Sequence, residues 1–133
     1  MNPNPDEPEE SAAARRAGAI LRIDLDALAE NYRILAGQAA PGVDCAAVVK
    51  ADAYGLGMDR VAPVLFAAGC RRFFVAQLEE GIDLRGLLPG AEIHVLGGLL
   101  PGLENDFLAQ GLIPTLNSLE EIDTLAEEAR RRG

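Results

Sequence analysis

The sequence predicts an α/β fold built on a parallel sheet. After one leading helix, short apolar runs alternate four times with segments of helical period, and a βα order repeated in this way implies parallel strands joined by right-handed crossovers. The run Val43–Val49 is nearly continuous in apolar character, as a parallel strand covered on both faces requires. The length, 133 residues, is enough for one hydrophobic core.

In chain order, residues 1–18 form an acidic tail that passes into an alanine-arginine stretch. With three prolines and no run of large apolar residues, the tail is expected to be disordered. The structured domain is expected over 19–133. Residues 19–24 alternate enough to be a short strand. Leu25, Leu28, Tyr32 and Leu35 then recur at helical spacing up to Gly37, and Pro41-Gly42 marks a loop. Val43–Val49 is the first strand of the repeat.

A helix over Met58–Ala68 ends at Gly69, with Pro63 expected in its first turn or at a kink because it lacks a donor. Phe73–Ala76 is the second strand and Leu78–Leu87 its helix, whose Glu79, Glu80, Asp83 and Arg85 read as a solvated face. Glu92–Leu96 is the third strand, with His94 structural or facing solvent rather than acting as a base. A weaker helix over Leu103–Gln110 stops at Gly111. Leu112–Leu116 is the fourth strand, and Pro114 inside it marks an edge or a distortion. The last helix opens on a capping box, Ser118 to Glu121. Its Leu119, Ile122, Leu125, Ala126 and Ala129 share a face, and Arg130–Arg132 complement the negative helix end.

The chemistry concentrates in Val48-Val49-Lys50-Ala51-Asp52-Ala53-Tyr54-Gly55-Leu56-Gly57. An amine stands where a buried strand stops, and a glycine-punctuated loop follows. A lysine so placed can form an imine with an aldehyde cofactor. Tyr54 could hydrogen-bond a bound group, and Gly55 and Gly57 let a ligand approach the main chain. On spacing alone, a lysine at a strand end is more often a solvated charge, and such a loop more often a plain turn.

This stretch resembles the cofactor-lysine signature of the alanine racemases, which use pyridoxal 5'-phosphate (PLP). Further stretches agree in the same order: Arg22 to Leu28 with Asn31-Tyr32, then Phe74-Val75-Ala76 with Leu78 to Gly81 and Leu84-Arg85, then Val95 to Gly98. The resemblance implies that Lys50 carries PLP as a Schiff base and moves a proton on one face of the substrate, so that it is both a catalytic and a cofactor residue. It implies that Tyr54 contacts the cofactor phosphate. Leu56 stands where the family commonly has histidine.

The fold implied is the start of a TIM-type (β/α)8 barrel, about its first four βα units, preceded by a short strand and helix. A complete barrel takes about 250 residues, and the family adds a β-rich C-terminal domain whose tyrosine serves the opposite substrate face across a dimer. Neither Tyr32 nor Tyr54 matches that tyrosine. The chain is therefore expected to be the N-terminal part of a longer homodimeric enzyme that interconverts L- and D-alanine for peptidoglycan, and to be inactive alone. Four strands without the rest of a barrel leave open edges and an apolar interior wall, which predicts instability or self-association. The alternatives are a PLP-binding barrel that does not racemise, a truncated non-enzymatic product, or another Schiff-base barrel such as an aldolase.

The net charge of −9, from 21 acids against 12 bases, argues against a nucleic-acid footprint and against anionic membranes. No apolar run is long enough for a membrane span, and the N-terminus is unlike a signal peptide. These features point to the cytoplasm, where Cys45 and Cys70 are expected as buried thiols. No ligand spacing supports a metal site.

Overall fold

The computed structural model describes residues 16–132, so most of the predicted tail lies outside the described residues; Arg16 to Gly18 are exposed. Helix α1 spans Leu25–Gly37. It is followed by β1 (Ala47–Val48), a short helical segment α2 (Lys50–Gly55), α3 (Met58–Ala67), β2 (Arg72–Val75), α4 (Leu78–Leu87), β3 (Glu92–Val95), α5 (Glu104–Gln110), β4 (Ile113–Pro114) and α6 (Leu119–Arg132). The strands form one sheet in the order β1-β2-β3-β4, and every pairing is parallel. A strand order that follows the sequence without reversal has no switch point. It places the crossover helices on one side of the sheet, which is the arrangement of a partial TIM-type barrel.

The expected strand over 19–24 does not form. These residues are exposed and pair with no strand, Leu21 being 76% accessible. Alternation defines which side chains share a face, but a strand also needs a neighbour for its amides. Helix α1 begins where predicted, because the Asp24 carboxylate accepts the Ala27 N–H at 2.9 Å, an N-cap bond. Leu25, Leu28 and Tyr32 pack on the core, whereas Leu35 is exposed. The Tyr32 hydroxyl donates to the Cys45 carbonyl at 2.9 Å. Burial, with smaller contributions from Cys70, Cys45 and Asp44, pushes its phenol up to about 12. Both cysteines are free; Cys70 is buried and Cys45 only half-buried.

The sheet has two unlike faces. Phe73, Val75, Ile93 and Val95 are at most 1% accessible and point toward the helices. Burial of each such side chain contributes about 1.5–3 kcal/mol. Helix α4 approaches this face closely because position 81 is glycine: a Cβ there would lie 3.1 Å from Leu112 Cδ1 and 3.2 Å from Val95 Cγ2.

The opposite face, which is the inner wall of the barrel curve, is less apolar than expected. Val48, Leu96 and Ile113 are exposed on it, but Arg72, Glu92 and His94 share it with Phe74. Arg72 Nε donates to Glu92 Oε1 at 2.5 Å, His94 Nε2 lies 2.7 Å from the same oxygen, and His94 stacks on Phe74 with ring centroids 4.6 Å apart. His94 is thus a structural residue of this wall.

Two local expectations need correction, and one is narrowed. Of the two placements expected for Pro63 the first turn is excluded, since it lies inside α3, which continues past it to Ala67. Arg85 is no mere solvated charge: its guanidinium donates to the carbonyls of Pro89, Ala91, Gln110 and Gly111 at 2.7–3.0 Å. It thereby ties the lead-in to β3 to the turn before β4. At α6 the Ser118 hydroxyl accepts the Glu121 N–H at 3.1 Å as a cap should, but the Glu121 carboxylate takes the Asn117 N–H at 2.9 Å rather than that of Ser118. Pro114 is in the outer strand β4, paired through Val95, as a residue without an amide donor demands.

Candidate functional site

Lys50 is the only lysine in the chain. It lies one residue beyond β1, and the ladder still reaches the intervening Val49, whose N–H donates to the Phe74 carbonyl at 2.9 Å. Ala47 and Val49 are buried while Val48 is exposed, so the alternation puts Lys50 on the inner-wall face, half-buried. It therefore stands at the C-terminal end of a parallel strand and on the concave side, where barrel sites are built. The amine has no ion-pair partner among the described residues.

The chain then does something the sequence does not announce. Ala51, Asp52, Ala53 and Tyr54 all have left-handed helical backbone, with φ between 52° and 57° and ψ between 34° and 50°. Each L-residue in that region costs roughly 1–2 kcal/mol, and four in succession persist only where the surroundings hold them. Gly55 and Gly57, at φ 82° and 91°, continue the positive-φ path at no steric cost. The turn carries Tyr54 to the surface, 64% accessible, on the same rim as Lys50.

Specific hydrogen bonds fix the turn. The Ala53 N–H reaches the Val49 carbonyl at 2.9 Å, and the Gly57 N–H reaches the Asp52 carbonyl at 3.0 Å. The Asp52 carboxylate accepts the Met58 N–H at 2.7 Å, which also satisfies the first turn of α3.

The Ala51 N–H donates to Glu80 Oε1 at 2.6 Å, and the other Glu80 oxygen accepts the N–H groups of Ala76 and Gln77 at 2.7 and 3.1 Å. Glu80 is half-buried and is not part of a solvated face. One carboxylate thus joins the backbone after Lys50 to the backbone after β2. The rim continues to β3, where the Gly97 N–H donates to the Ala76 carbonyl at 2.8 Å and a Cβ would approach that oxygen to 2.6 Å.

Sequence reasoning missed Glu80, although a signal existed. Gln77-Leu78-Glu79-Glu80 has the same spacing as Ser118-Leu119-Glu120-Glu121, with a glutamate in the third helical position that reaches back to the amides before the helix. What no spacing encodes is the third bond, which crosses to another βα unit. Gln77 itself is exposed. A cavity of about 360 Å³ lies between the β3–α5 connection and the start of α6, lined by Leu99, Leu100, Glu104, Ser118 and Thr124 among others; neither Lys50 nor Tyr54 reaches it. No cluster of metal-binding side chains occurs among the described residues.

A sequentially ordered parallel sheet with an amine at the C-terminal end of its first strand defines a barrel-type α/β protein with a lysine-bearing rim. Comparison with known proteins narrows the class. Residues 23–133 match the family model described as alanine racemase, N-terminal domain, and the chain belongs to that family. It is 51% identical over 119 residues to an alanine racemase of Rhodospirillum rubrum, covering 89% of this chain and 32% of that protein. It is 52% identical over 118 residues to one of Brucella ovis, covering 88% and 30%. A crystal structure of alanine racemase from Bartonella henselae with covalently bound pyridoxal phosphate superposes with a TM-score of 0.78 at 44% identity, over 83% of this chain and 31% of that one. The chain spans about a third of the length of the curated relatives it matches.

Proposed function

We propose that the protein carrying these residues is a PLP-dependent alanine racemase, with Lys50 as its cofactor lysine and one of its two proton carriers. The observation that carries this reading is the position of the chain's single lysine, at a strand's C-terminal end on the concave face, in a family whose Bartonella henselae member holds pyridoxal phosphate covalently.

The residues present suit such a cofactor. Lys50 supplies a primary amine for the aldehyde, Tyr54 brings an exposed phenol to the same rim for the phosphate, and Gly55 and Gly57 leave the main chain uncovered beside it. When bound, PLP supplies an electron sink that lowers the barrier to removing the substrate α-proton.

Lys50 Nζ accepts or returns that proton on one face of the α-carbon. Interconversion of L- and D-alanine needs a second base on the opposite face. Tyr32 cannot serve, because its hydroxyl is engaged by the Cys45 carbonyl near the other end of the strand. Tyr54 is assigned to the cofactor. The resemblance to the alanine racemases implies that the second base is a tyrosine of the C-terminal domain, contributed across a homodimer. The net charge of −9 and the absence, among the described residues, of any helix long and apolar enough to cross a membrane accord with a cytoplasmic enzyme acting on free alanine and supplying D-alanine to peptidoglycan.

The test uses the intact gene product supplied with PLP. Borohydride trapping followed by peptide mapping is expected to place the cofactor on Lys50, and Lys50→Ala is expected to abolish both the label and D-alanine formation. Racemisation retained by Lys50→Ala would overturn the proposal.

A further inference from the structure

We infer that Glu80 is the positioning residue for Lys50: its carboxylate locks the left-handed turn after β1 to the end of β2 and so sets where the amine stands. The inference rests on the reading of Lys50 as the cofactor lysine. It deepens that reading, since Glu80 belongs to a different βα unit and its hydrogen bonds go to backbone amides, not to the amine or Tyr54.

Three bonds carry it. Glu80 Oε1 takes the Ala51 N–H, the first amide after Lys50, at 2.6 Å. Glu80 Oε2 takes the Ala76 and Gln77 amides at 2.7 and 3.1 Å. Ala51 is the first of four successive non-glycine residues with positive φ, so Glu80 grips the chain where the left-handed path begins. The other bonds of this turn come from within residues 49–58 and fix its shape. The Val49 N–H ties the strand end to the Phe74 carbonyl, and the Glu80 bond ties the turn itself to the neighbouring βα unit. Both carboxylate oxygens are needed. A glutamine would present an NH2 group to one set of backbone donors and leave that set without an acceptor.

The experiment follows PLP loading of the intact protein. The readouts are the rate at which borohydride-trappable label appears at Lys50 and the pH midpoint of the visible absorbance of the lysine-bound cofactor. Glu80→Gln is expected to load about tenfold more slowly, the scale of one charge-assisted hydrogen bond, and to shift the pH midpoint. A residue that serves stability alone would move the thermal midpoint and leave the pH midpoint in place. Glu79→Gln, at the exposed neighbouring position, is expected to load at the unsubstituted rate.

Loading of Glu80→Gln at the unsubstituted rate and pH midpoint would overturn the inference while leaving the cofactor reading intact. No label at Lys50 in the unsubstituted protein would overturn the cofactor reading, and this inference with it. Amide hydrogen exchange of the unsubstituted protein covers the case of a variant that does not fold: the Ala51 amide is expected to be protected, and exchange at the rate of an open loop would overturn the inference.

Discussion

Arg72 and Glu92 face each other across the two middle strands, paired in register, with Arg72 Nε donating to Glu92 Oε1 at 2.5 Å. Asp44 adds a second carboxylate 3.5 Å from Arg72 Nη1, and His94 approaches the shared Glu92 oxygen from the far side. A polar belt therefore crosses a sheet face that the sequence pattern presents as apolar. It lies toward the N-terminal ends of the strands, away from the rim that bears Lys50. Conservation of architecture rather than chemistry is the expected role of such a position in a barrel.

The belt has a pH signature. The Arg72 hydrogen bond first, and the His94 contact second, hold the Glu92 carboxyl down to about 2 from an ordinary value of 4.5. A carboxyl depressed in the folded state contributes stability that is fully present above its unfolded value and is lost as the pH falls through its folded value. The contribution should therefore be complete above about 4.5 and vanish toward about 2. An NMR titration is expected to find Glu92 ionised through pH 3, and Arg72→Met should raise its midpoint toward the ordinary carboxylate range, with the His94 contact still holding it down in part. The pair is exposed enough for salt to screen it.

Gly97 should tolerate no side chain. Its amide bonds the Ala76 carbonyl, and a Cβ would meet that same backbone oxygen at 2.6 Å. Gly97→Ala is expected to destabilise the protein by about 1–3 kcal/mol, the scale of overpacking against rigid neighbours, read from the midpoint of denaturant unfolding. An unchanged midpoint would show that the rim between β2 and β3 yields freely.

Ala51 should respond in the opposite direction. Its backbone stands at φ 52° and ψ 50°, and its side chain is exposed, so Ala51→Gly removes left-handed strain without opening a cavity. The relief of about 1–2 kcal/mol is partly offset by about 0.4–1 kcal/mol from the looser unfolded chain. A net gain in stability is expected from thermal unfolding. A loss would mean that the surrounding bonds strain this turn less than its dihedral angles indicate.

The fold was legible because it depends on periodicity. Leu78–Leu87 was bounded as observed, and the four strands fall at their expected places, the first and last shortened to Ala47–Val48 and Ile113–Pro114, since apolar period and glycine stops are local properties of the chain. The strand expected over 19–24 failed for the complementary reason: its pattern was local, but its hydrogen bonds required a neighbour that the sheet does not provide. The same division explains Pro63. Its missing donor was visible, whereas its place inside α3 is seen only in the structure.

The sequence by itself determined the βα order, the single core and the place of Lys50 at a strand end. These follow from which residues repel water and where the chain can turn. Tertiary structure alone decided what holds that lysine in place. The left-handed path of Ala51 to Tyr54 is unfavourable locally, so no propensity could have predicted it. Bonds within residues 49–58 hold its shape, and Glu80 joins it to the amides that follow β2. Likewise His94 reads in the sequence as structural or solvent-facing, and only strand register brings it to Arg72 and Glu92 as a belt. Hydrogen bonds between distant segments depend on distances that the fold creates, and those distances are not written in the spacing of residues along the chain.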